Sequence, residues 1–190
     1  MLDDAGAGSL SYGAFLRGLI ANPKGVSAPT PSSPVLSDAI AAELDLSRPG
    51  LVVELGPGTG AVTAALVKRA GSDRILAIER ETSFLTPLRT RFPDVDIRFG
   101  DALAFERFLP PGAAIAAVVS GLPLLHLPDA VRRSLLARSL TAQGEGGLFI
   151  QLSYSWRPPV KAGDGVTLTK RAIWQNFPPA HVWTYMQDSG

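Results

Sequence analysis

The strongest chemical signal in this sequence is a carboxylate followed by three closely spaced glycines, in the run Val53-Glu54-Leu55-Gly56-Pro57-Gly58-Thr59-Gly60. Glycines at a turn between a strand and a helix let the backbone approach a ligand closely and tolerate positive φ. The Gly-x-Gly-x-x-Ala part of the run also fits a dinucleotide-binding turn. However, the carboxylate of Glu54 would repel a pyrophosphate, whereas it would attract the ammonium group of an amino-acid moiety, directly or through water. The run therefore favours a cofactor with such an ammonium, and a dinucleotide is the alternative.

Strand-like and helix-like segments alternate from residue 51 onward and supply the elements that must position this turn. Short apolar runs predict buried strands, and segments of helical period between them predict helices. The predicted strands are 51–55, 74–79, 95–99, 114–119 and 147–154, and the predicted helices are 61–70, 83–92 and 129–140. Two closing β-like segments, 166–174 and 180–186, have no helix between them and predict an antiparallel hairpin at one edge. We therefore expect an α/β fold with a mostly parallel, doubly wound sheet of seven strands.

Together these features resemble the class I S-adenosylmethionine-dependent methyltransferases, whose Rossmann-like fold has helices on both faces of the sheet. The resemblance implies that Glu54 and the glycines form the first cofactor motif and that Glu79, 19 residues after Gly60, binds ribose hydroxyls. It also implies that Asp101 and the adjacent Ala102 read the adenine. The loop Ser120-Gly121-Leu122-Pro123, after the fourth strand, would present the acceptor nitrogen to the methyl group.

Simpler roles stay open for each of these features. The glycine run could be a tight turn alone, Glu79 could be a solvated strand end, and Asp101 could be a helix N-cap. A nicotinamide oxidoreductase would use the same turn, and a lipid-binding module would bind vesicles without transferring a methyl group. We expect S-adenosylhomocysteine, rather than NAD, to raise the melting temperature of the protein.

Composition excludes several other chemistries. The chain has 190 residues and no cysteine, which rules out a disulfide, a thiol nucleophile and a cysteine-based zinc site. Only His126 and His181 remain as imidazole ligands, so we expect no metal. The net charge of +1 does not indicate a nucleic-acid partner. The acidic start Met1-Leu2-Asp3-Asp4 does not fit a signal peptide. Prolines and glycines interrupt the uncharged run 108–128, so this run does not predict a membrane-spanning helix. We therefore expect a cytoplasmic location.

The N-terminal segment predicts an amphipathic helix. Apolar residues repeat there at helical spacing, namely Tyr12, Phe15, Leu16, Leu19 and Ile20. This helix either packs on the sheet edge of its own domain or lies in a lipid headgroup layer. We assign residues 1–34 to this membrane-associating helix and the Pro/Ser segment after it, and residues 35–190 to the methyltransferase domain.

Motifs along nearly the whole chain narrow the resemblance. They are Phe15-Leu16-Arg17-Gly18-Leu19-Ile20-Ala21-Asn22-Pro23, Pro31-Ser32-Ser33-Pro34, the glycine run, Val118-Val119-Ser120-Gly121-Leu122-Pro123-Leu124-Leu125, Phe149-Ile150-Gln151, Asn176-Phe177-Pro178-Pro179-Ala180 and Val182-Trp183. Together they resemble the bacterial phospholipid N-methyltransferases of the PmtA type. The resemblance implies methylation of phosphatidylethanolamine, through its mono- and dimethyl forms, to phosphatidylcholine. It also implies peripheral association with an anionic membrane surface on the cytoplasmic side.

The ribosomal RNA adenine dimethyltransferases are similar by motif and provide an alternative function, beside other small-molecule N-methyltransferases. Their acceptor loop reads Asn-Leu-Pro-Tyr, whereas this chain has Gly121-Leu122-Pro123-Leu124. The aromatic residue that stacks on a flipped base is absent, and so is the acceptor-binding Asn. We therefore expect a lipid amine rather than a nucleobase as the acceptor.

These resemblances imply three groups of site residues. The cofactor, S-adenosylmethionine with S-adenosylhomocysteine as its product, is assigned to Ser32, Ser33, Glu54, Gly56, Gly58, Gly60, Glu79, Arg80, Asp101, Ala102 and Ser120. The catalytic residues are Ser120 and Gly121, whose carbonyls would orient the amine, and Tyr154, which could donate to the lipid phosphate. The substrate is assigned to Tyr12, Lys24, Leu122, His126, Tyr154 and Arg157. Tyr12, Trp156 and Tyr185 are candidates to face the methylated ammonium, with a core or lipid-anchor role as the alternative for each. We assign no general base.

Overall fold

The computed structural model describes residues 33–176 and 178–188. The chain divides into two compact units, residues 1–32 and residues 33–190. The predicted N-terminal amphipathic helix lies outside the described residues. The same holds for three predicted site residues, Tyr12, Lys24 and Ser32.

Strands and helices alternate along the described residues in the predicted order. The strands are β1 (Leu51–Leu55), β2 (Ile75–Glu79), β3 (Asp96–Phe99), β4 (Ile115–Ser120), β5 (Leu148–Ser153), β6 (Val166–Ile173) and β7 (Ala180–Gln187). The α-helices are α1 (Pro34–Ala42), α2 (Ala61–Ala70), α3 (Thr82–Arg91) and α4 (Asp129–Gln143). Three short 3-10 helices complete this part of the chain, at Ser72–Arg74, Ala102–Phe108 and Leu124–His126.

The seven strands form one sheet in the order β3-β2-β1-β4-β5-β7-β6. Strands β1 to β5 are parallel, and β7 runs antiparallel between β5 and β6. This confirms the predicted mostly parallel sheet with an antiparallel C-terminal hairpin. The strand order reverses between β1 and β4, and in open α/β sheets ligands bind beyond the carboxyl ends of the strands at such a point. We call this side of the sheet, where β1 to β5 end, the carboxyl edge.

Helices cover both faces of the sheet. One hydrophobic cluster joins α1, α2 and α3 to one face, and a second joins the 102–108 helix and α4 to the other. Strands β2 and β4 are buried at every residue, which explains why they read in the sequence as apolar runs without alternation.

Helix α1 was not predicted, because its first residues look like a Pro/Ser linker. The hydroxyl of Ser33 caps it by accepting from the backbone N–H of Leu36 at 3.2 Å, and Pro34 occupies the first helical position, where no N–H is needed. The helix then buries Leu36 and Ile40. The predicted domain boundary between residues 34 and 35 falls inside this helix.

Candidate cofactor and acceptor site

Three backbone hydrogen bonds tie the ends of neighbouring strands together at the carboxyl edge. The N–H of Gly56 donates to the carbonyl of Ile78 at 3.0 Å, and the N–H of Gly100 donates to that of Glu79 at 2.9 Å. The N–H of Gly121 donates to the carbonyl of Leu55 at 2.9 Å. The structure therefore brings the glycine turn, Glu79, the Gly100–Ala102 segment and the acceptor loop to one place.

The glycine turn is tightly packed on two sides and open on one. Gly56, Gly58 and Gly60 have φ of 74°, 55° and 79°. A Cβ on Gly60 would lie 2.7 Å from the ring of Phe92, and one on Gly56 would lie 3.0 Å from Leu122. A Cβ on Gly58 would meet none of the described atoms within 4 Å. The turn therefore leaves room for a ligand against the backbone of Gly58, as the cofactor requires.

Glu54 is a buried carboxylate just behind this turn. Its side chain is 2% exposed and accepts a hydrogen bond of 2.7 Å from the hydroxyl of Thr63, which lies on α2. Burial raises the pKa of Glu54 to about 7, the charge of Glu79 adds to the increase, and the Thr63 hydrogen bond opposes it. The negative charge of Glu54 is therefore costly without a cation, and an ammonium group would stabilise it. Thr63 was not predicted as a site residue. Its position in the first turn of the helix after the glycines could have indicated that it contacts Glu54.

Glu79 holds the glycine turn to the end of β2. One carboxylate oxygen accepts from the N–H of Gly58 at 2.9 Å, and the other accepts from the N–H groups of Arg80 and Glu81 at 2.8 Å each. A carboxylate has about four acceptor positions, so three of them are used and about one is left for a ligand hydroxyl. Arg80 thus contacts the predicted ribose-binding residue through its backbone.

Asp101 occupies the position that the N-cap reading predicted. Its carboxylate accepts from the N–H of Leu103 at 3.0 Å and starts the 3-10 helix at Ala102, which is buried. Ser33, the other predicted cofactor residue with a capping role, starts α1. Adenine binding by Asp101 and Ala102, and cofactor binding by Ser33, stay predictions.

The acceptor loop is held rigidly beside the glycine turn. A Cβ on Gly121 would lie 2.8 Å from the carbonyl oxygen of Gly56, so the two backbones are in close contact. The hydroxyl of Ser120, which is buried, accepts from the N–H of Leu122 at 3.3 Å. The side chain amide of Gln151 on β5 donates to the carbonyl of Leu122 at 3.0 Å.

Gln151 is a candidate site residue that the sequence reasoning missed. It pairs with Ser120 across β4 and β5, it is buried, and its side-chain oxygen has no hydrogen-bond partner among the described residues. A buried acceptor without a partner is rare and costly in folded proteins. The signal was a lone amide in the otherwise apolar run Leu148–Leu152.

The remaining predicted substrate residues follow β4 or β5 at the carboxyl edge. Tyr154 is partly exposed; burial raises its pKa, and a hydrogen bond with Asn176 opposes that increase. His126 and Arg157 are exposed, whereas Leu122 is half-buried.

Tyr185 has a core role, which was the predicted alternative to facing the substrate ammonium. Its hydroxyl donates to the carbonyl of Val160 at 2.8 Å and accepts from the N–H of the same residue at 3.1 Å. The ring is completely buried. Tyr185 therefore does not face a substrate ammonium.

A sequence model described as a methyltransferase domain matches residues 52–147, which include the glycine turn, both buried carboxylates and the acceptor loop. The chain belongs to the class I S-adenosylmethionine-dependent methyltransferases. The predicted cofactor is thereby confirmed, and the open backbone at Gly58 fits it.

Two kinds of curated relatives share sequence with this methyltransferase. The ornithine lipid N-methyltransferase of Singulisphaera acidiphila is 33% identical over 129 residues, which are 65% of this chain and 67% of that protein. A probable ribosomal RNA small subunit methyltransferase A of Halobacterium salinarum is 36% identical over 120 residues, which are 60% of this chain but 38% of that protein. This methyltransferase therefore spans well under half the length of the halobacterial relative.

Among solved structures, the 1,6-didemethyltoxoflavin-N1-methyltransferase of Burkholderia thailandensis aligns with a TM-score of 0.65 at 14% identity. The alignment covers 100% of this chain and 92% of that one, which was crystallised with S-adenosylhomocysteine. At this level of identity the similarity concerns the fold.

Among the helices of the described residues, none has both the length and the hydropathy to cross a membrane.

Proposed function

We propose that this methyltransferase transfers methyl groups to the headgroup amine of phosphatidylethanolamine and its mono- and dimethyl forms, giving phosphatidylcholine. The observation that carries the proposal is the 33% identity to a protein named as a lipid N-methyltransferase, over about two thirds of both chains. The motifs that resemble phospholipid N-methyltransferases support the choice of lipid, since they extend beyond the cofactor turn to the acceptor loop and the C-terminal hairpin.

The residues around the glycine turn fit the cofactor, which supplies an electrophilic methyl group when bound. Glu54 would hold its ammonium, the backbone of Gly58 would lie against it, and Glu79 would accept from a ribose hydroxyl. Asp101 and Ala102 would contact the adenine.

The acceptor loop would position the amine for an in-line displacement. The amine must be neutral to attack, so its proton leaves to water before the new nitrogen–carbon bond forms and the sulfur–carbon bond breaks. In the first two methylations the carbonyl groups of Ser120 and Gly121 would orient the N–H bonds that the neutral amine keeps, and the unpartnered oxygen of Gln151 is a further acceptor beside Ser120. Tyr154 and Arg157 would bind the lipid phosphate.

The proposed location follows from the substrate. A two-chain lipid stays in its bilayer, so the enzyme must work at a membrane surface, and the predicted helix within residues 1–34 would attach it there. The domain assignment, with residues 35–190 carrying catalysis, is part of this proposal.

A nucleobase acceptor is the second candidate, because several relatives are named as ribosomal RNA methyltransferases. Against it, Gly121-Leu122-Pro123-Leu124 offers no aromatic side chain to stack on a flipped base. The expectation of no nucleic-acid partner stays a prediction.

The deciding experiment follows labelled methyl groups from S-adenosylmethionine into competing acceptors. Vesicles of phosphatidylethanolamine, of its monomethyl and dimethyl forms, and of ornithine lipid are offered separately, beside a small-subunit ribosomal RNA. We expect label in all three phosphatidylethanolamine-type lipids. Label in RNA, or in ornithine lipid alone, would contradict the proposed substrate.

A matched pair of glycine variants controls this assay. Gly58→Val should abolish binding of S-adenosylhomocysteine and methyl transfer, because the side chain enters the space beside the turn. Gly112→Val is the control, since Gly112 also has positive φ, 72°, and open space around it, but precedes β4 at the opposite edge. Both variants carry similar backbone strain, and only the first should lose the cofactor.

A further inference from the structure

Aromatic side chains of the C-terminal hairpin and of the segment after β5 form a cluster, which we call the aromatic patch. It consists of Trp156, Trp174, His181 and Trp183 together with Lys170, and it contains all three tryptophans of the chain. His181 pairs with Ser153 at the carboxyl end of β5, and Trp174 directly follows β6, which is parallel to β5. The patch therefore lies at the carboxyl edge, beside the acceptor loop.

The ring contacts make the patch a preformed surface. The ring of Trp156 lies 4.7 Å from that of His181 and 5.3 Å from that of Trp174, measured between centroids. The ammonium of Lys170 lies 4.7 Å from the Trp156 ring and 5.2 Å from the Trp183 ring. His181 and Trp183 are the buried members of the patch, and burial together with the charge of Lys170 lowers the pKa of His181. The base of the patch is therefore uncharged at neutral pH.

The outer rings of the patch are exposed to an unusual degree. Trp156 is 60% exposed and Trp174 is 61% exposed. Of the eight large hydrophobic side chains exposed among the described residues, five lie at the carboxyl edge, namely Phe99, Leu125, Tyr154, Trp156 and Trp174. Such a concentration on one side of a protein marks an interaction surface.

The charge around the patch indicates what covers it. Lys170 lies against two rings of the patch and Arg157 directly follows Trp156, whereas the charge of Arg171 is balanced by Glu43 at 2.9 Å. Tryptophan rings favour the boundary between headgroups and acyl chains, and lysine side chains beside them favour an anionic surface. This combination fits the headgroup layer of an anionic bilayer.

We propose that the aromatic patch is a membrane-contact surface of the catalytic domain, in which Trp156 and Trp174 enter the headgroup layer and Lys170 meets anionic phosphates. The contact turns the carboxyl edge, and with it the acceptor loop, toward the bilayer. It rests on the proposed function in that a lipid acceptor requires this orientation, but it uses different residues from the cofactor site and from the predicted N-terminal helix.

Tryptophan fluorescence of the full chain tests the patch directly, since every tryptophan belongs to it and residues 1–32 contain none. Vesicles of phosphatidylcholine mixed equally with phosphatidylglycerol should shift the emission to shorter wavelength and protect it from acrylamide quenching. Salt should weaken both effects, because the contact includes exposed charges. Vesicle binding measured by sedimentation without any change in emission would overturn the proposal.

Substitutions separate the patch from other causes of binding. Trp174→Gln and Trp156→Gln, combined, should weaken vesicle affinity by about tenfold. Met186→Gln is the matched control, because Met186 is 41% exposed but lies at the opposite end of β7. Unchanged affinity for S-adenosylhomocysteine shows that the tryptophan variant is folded, and Trp174→Gln alone provides a milder variant if it is not.

The remaining outcomes distinguish this proposal from the proposed function. Methylation of short-chain, water-soluble phosphatidylethanolamine should keep its kcat in Trp174→Gln, while methylation in vesicles falls. An emission shift with vesicles but no methylation of any phosphatidylethanolamine would refute the substrate and leave the membrane contact supported. An emission shift with RNA but none with vesicles would refute the membrane contact in favour of a nucleic-acid surface.

Discussion

Replacing Glu54 with glutamine should stabilise the ligand-free protein at alkaline pH and weaken its affinity for the cofactor. Glutamine has nearly the shape of the protonated carboxyl group and can still accept the hydrogen bond from Thr63, which measures 2.7 Å. What it removes is the negative charge, which the wild-type protein holds in a buried position behind the glycine turn.

The pKa of Glu54 sets the size of this effect. The pKa is raised from 4.5 to about 7, chiefly by burial. Between these values the folded protein binds a proton that the unfolded chain has released, so the free energy of unfolding falls as the pH rises. One pKa unit corresponds to about 1.4 kcal/mol, and the whole shift therefore to about 3 kcal/mol, lost above pH 7. Glu54→Gln should escape this loss.

Urea unfolding at pH 5 and at pH 8 measures the effect. The variant should gain stability relative to wild type between the two pH values, by up to about 3 kcal/mol. Glu145→Gln, which removes an exposed carboxylate, should show no such gain. With S-adenosylhomocysteine present at pH 8 the advantage of the variant should shrink by about 1.5–3 kcal/mol, since it lacks the charge-assisted hydrogen bond to the ligand. The reasoning is refuted if the variant follows the wild-type pH dependence or is less stable at pH 8.

Two further substitutions test the packing beside the site. Tyr185→Phe should lower the free energy of unfolding by about 1–3 kcal/mol, because the N–H and carbonyl of Val160 lose their shared partner, and urea unfolding would show it. An unchanged stability would mean that water replaces the hydroxyl. Gln151→Leu should lower kcat about tenfold by freeing the carbonyl of Leu122, while calorimetry shows unchanged affinity for S-adenosylhomocysteine. Loss of cofactor affinity would instead assign Gln151 to the cofactor site.

The sequence determined the order of the elements and the place of the cofactor turn. Strands β1, β2 and β4 are apolar apart from one polar site residue each, because both faces of the sheet are covered, and that pattern is local enough to read directly. The turn after β1 needs glycine at Gly56, Gly58 and Gly60 because all three have positive φ. These signals depend on neighbouring residues alone, so they identified the family before any contact was known.

Local rules were insufficient where a residue's role depends on a distant partner. Ser33 looked like part of a linker, yet it caps α1, whose stability comes from burying Leu36 and Ile40 in the core. Glu79 was predicted as a ribose ligand, and only the fold shows that three backbone N–H groups already occupy it. The number of hydrogen bonds that a carboxylate can still accept depends on its tertiary contacts, which the spacing of residues in the sequence does not show.

The tertiary structure alone decided what the C-terminal hairpin presents. Trp156, Trp174 and His181 are separated by loops and a strand, and the antiparallel pairing of β6 and β7 places them in one cluster. The same pairing buries Tyr185, whose aromatic side chain resembled the others in the sequence. Trp183 and Tyr185 are both buried on β7, whereas Trp174, just after β6, is exposed. The alternation of side chains along a strand shows which residues share a face, but whether that face is covered depends on the whole fold.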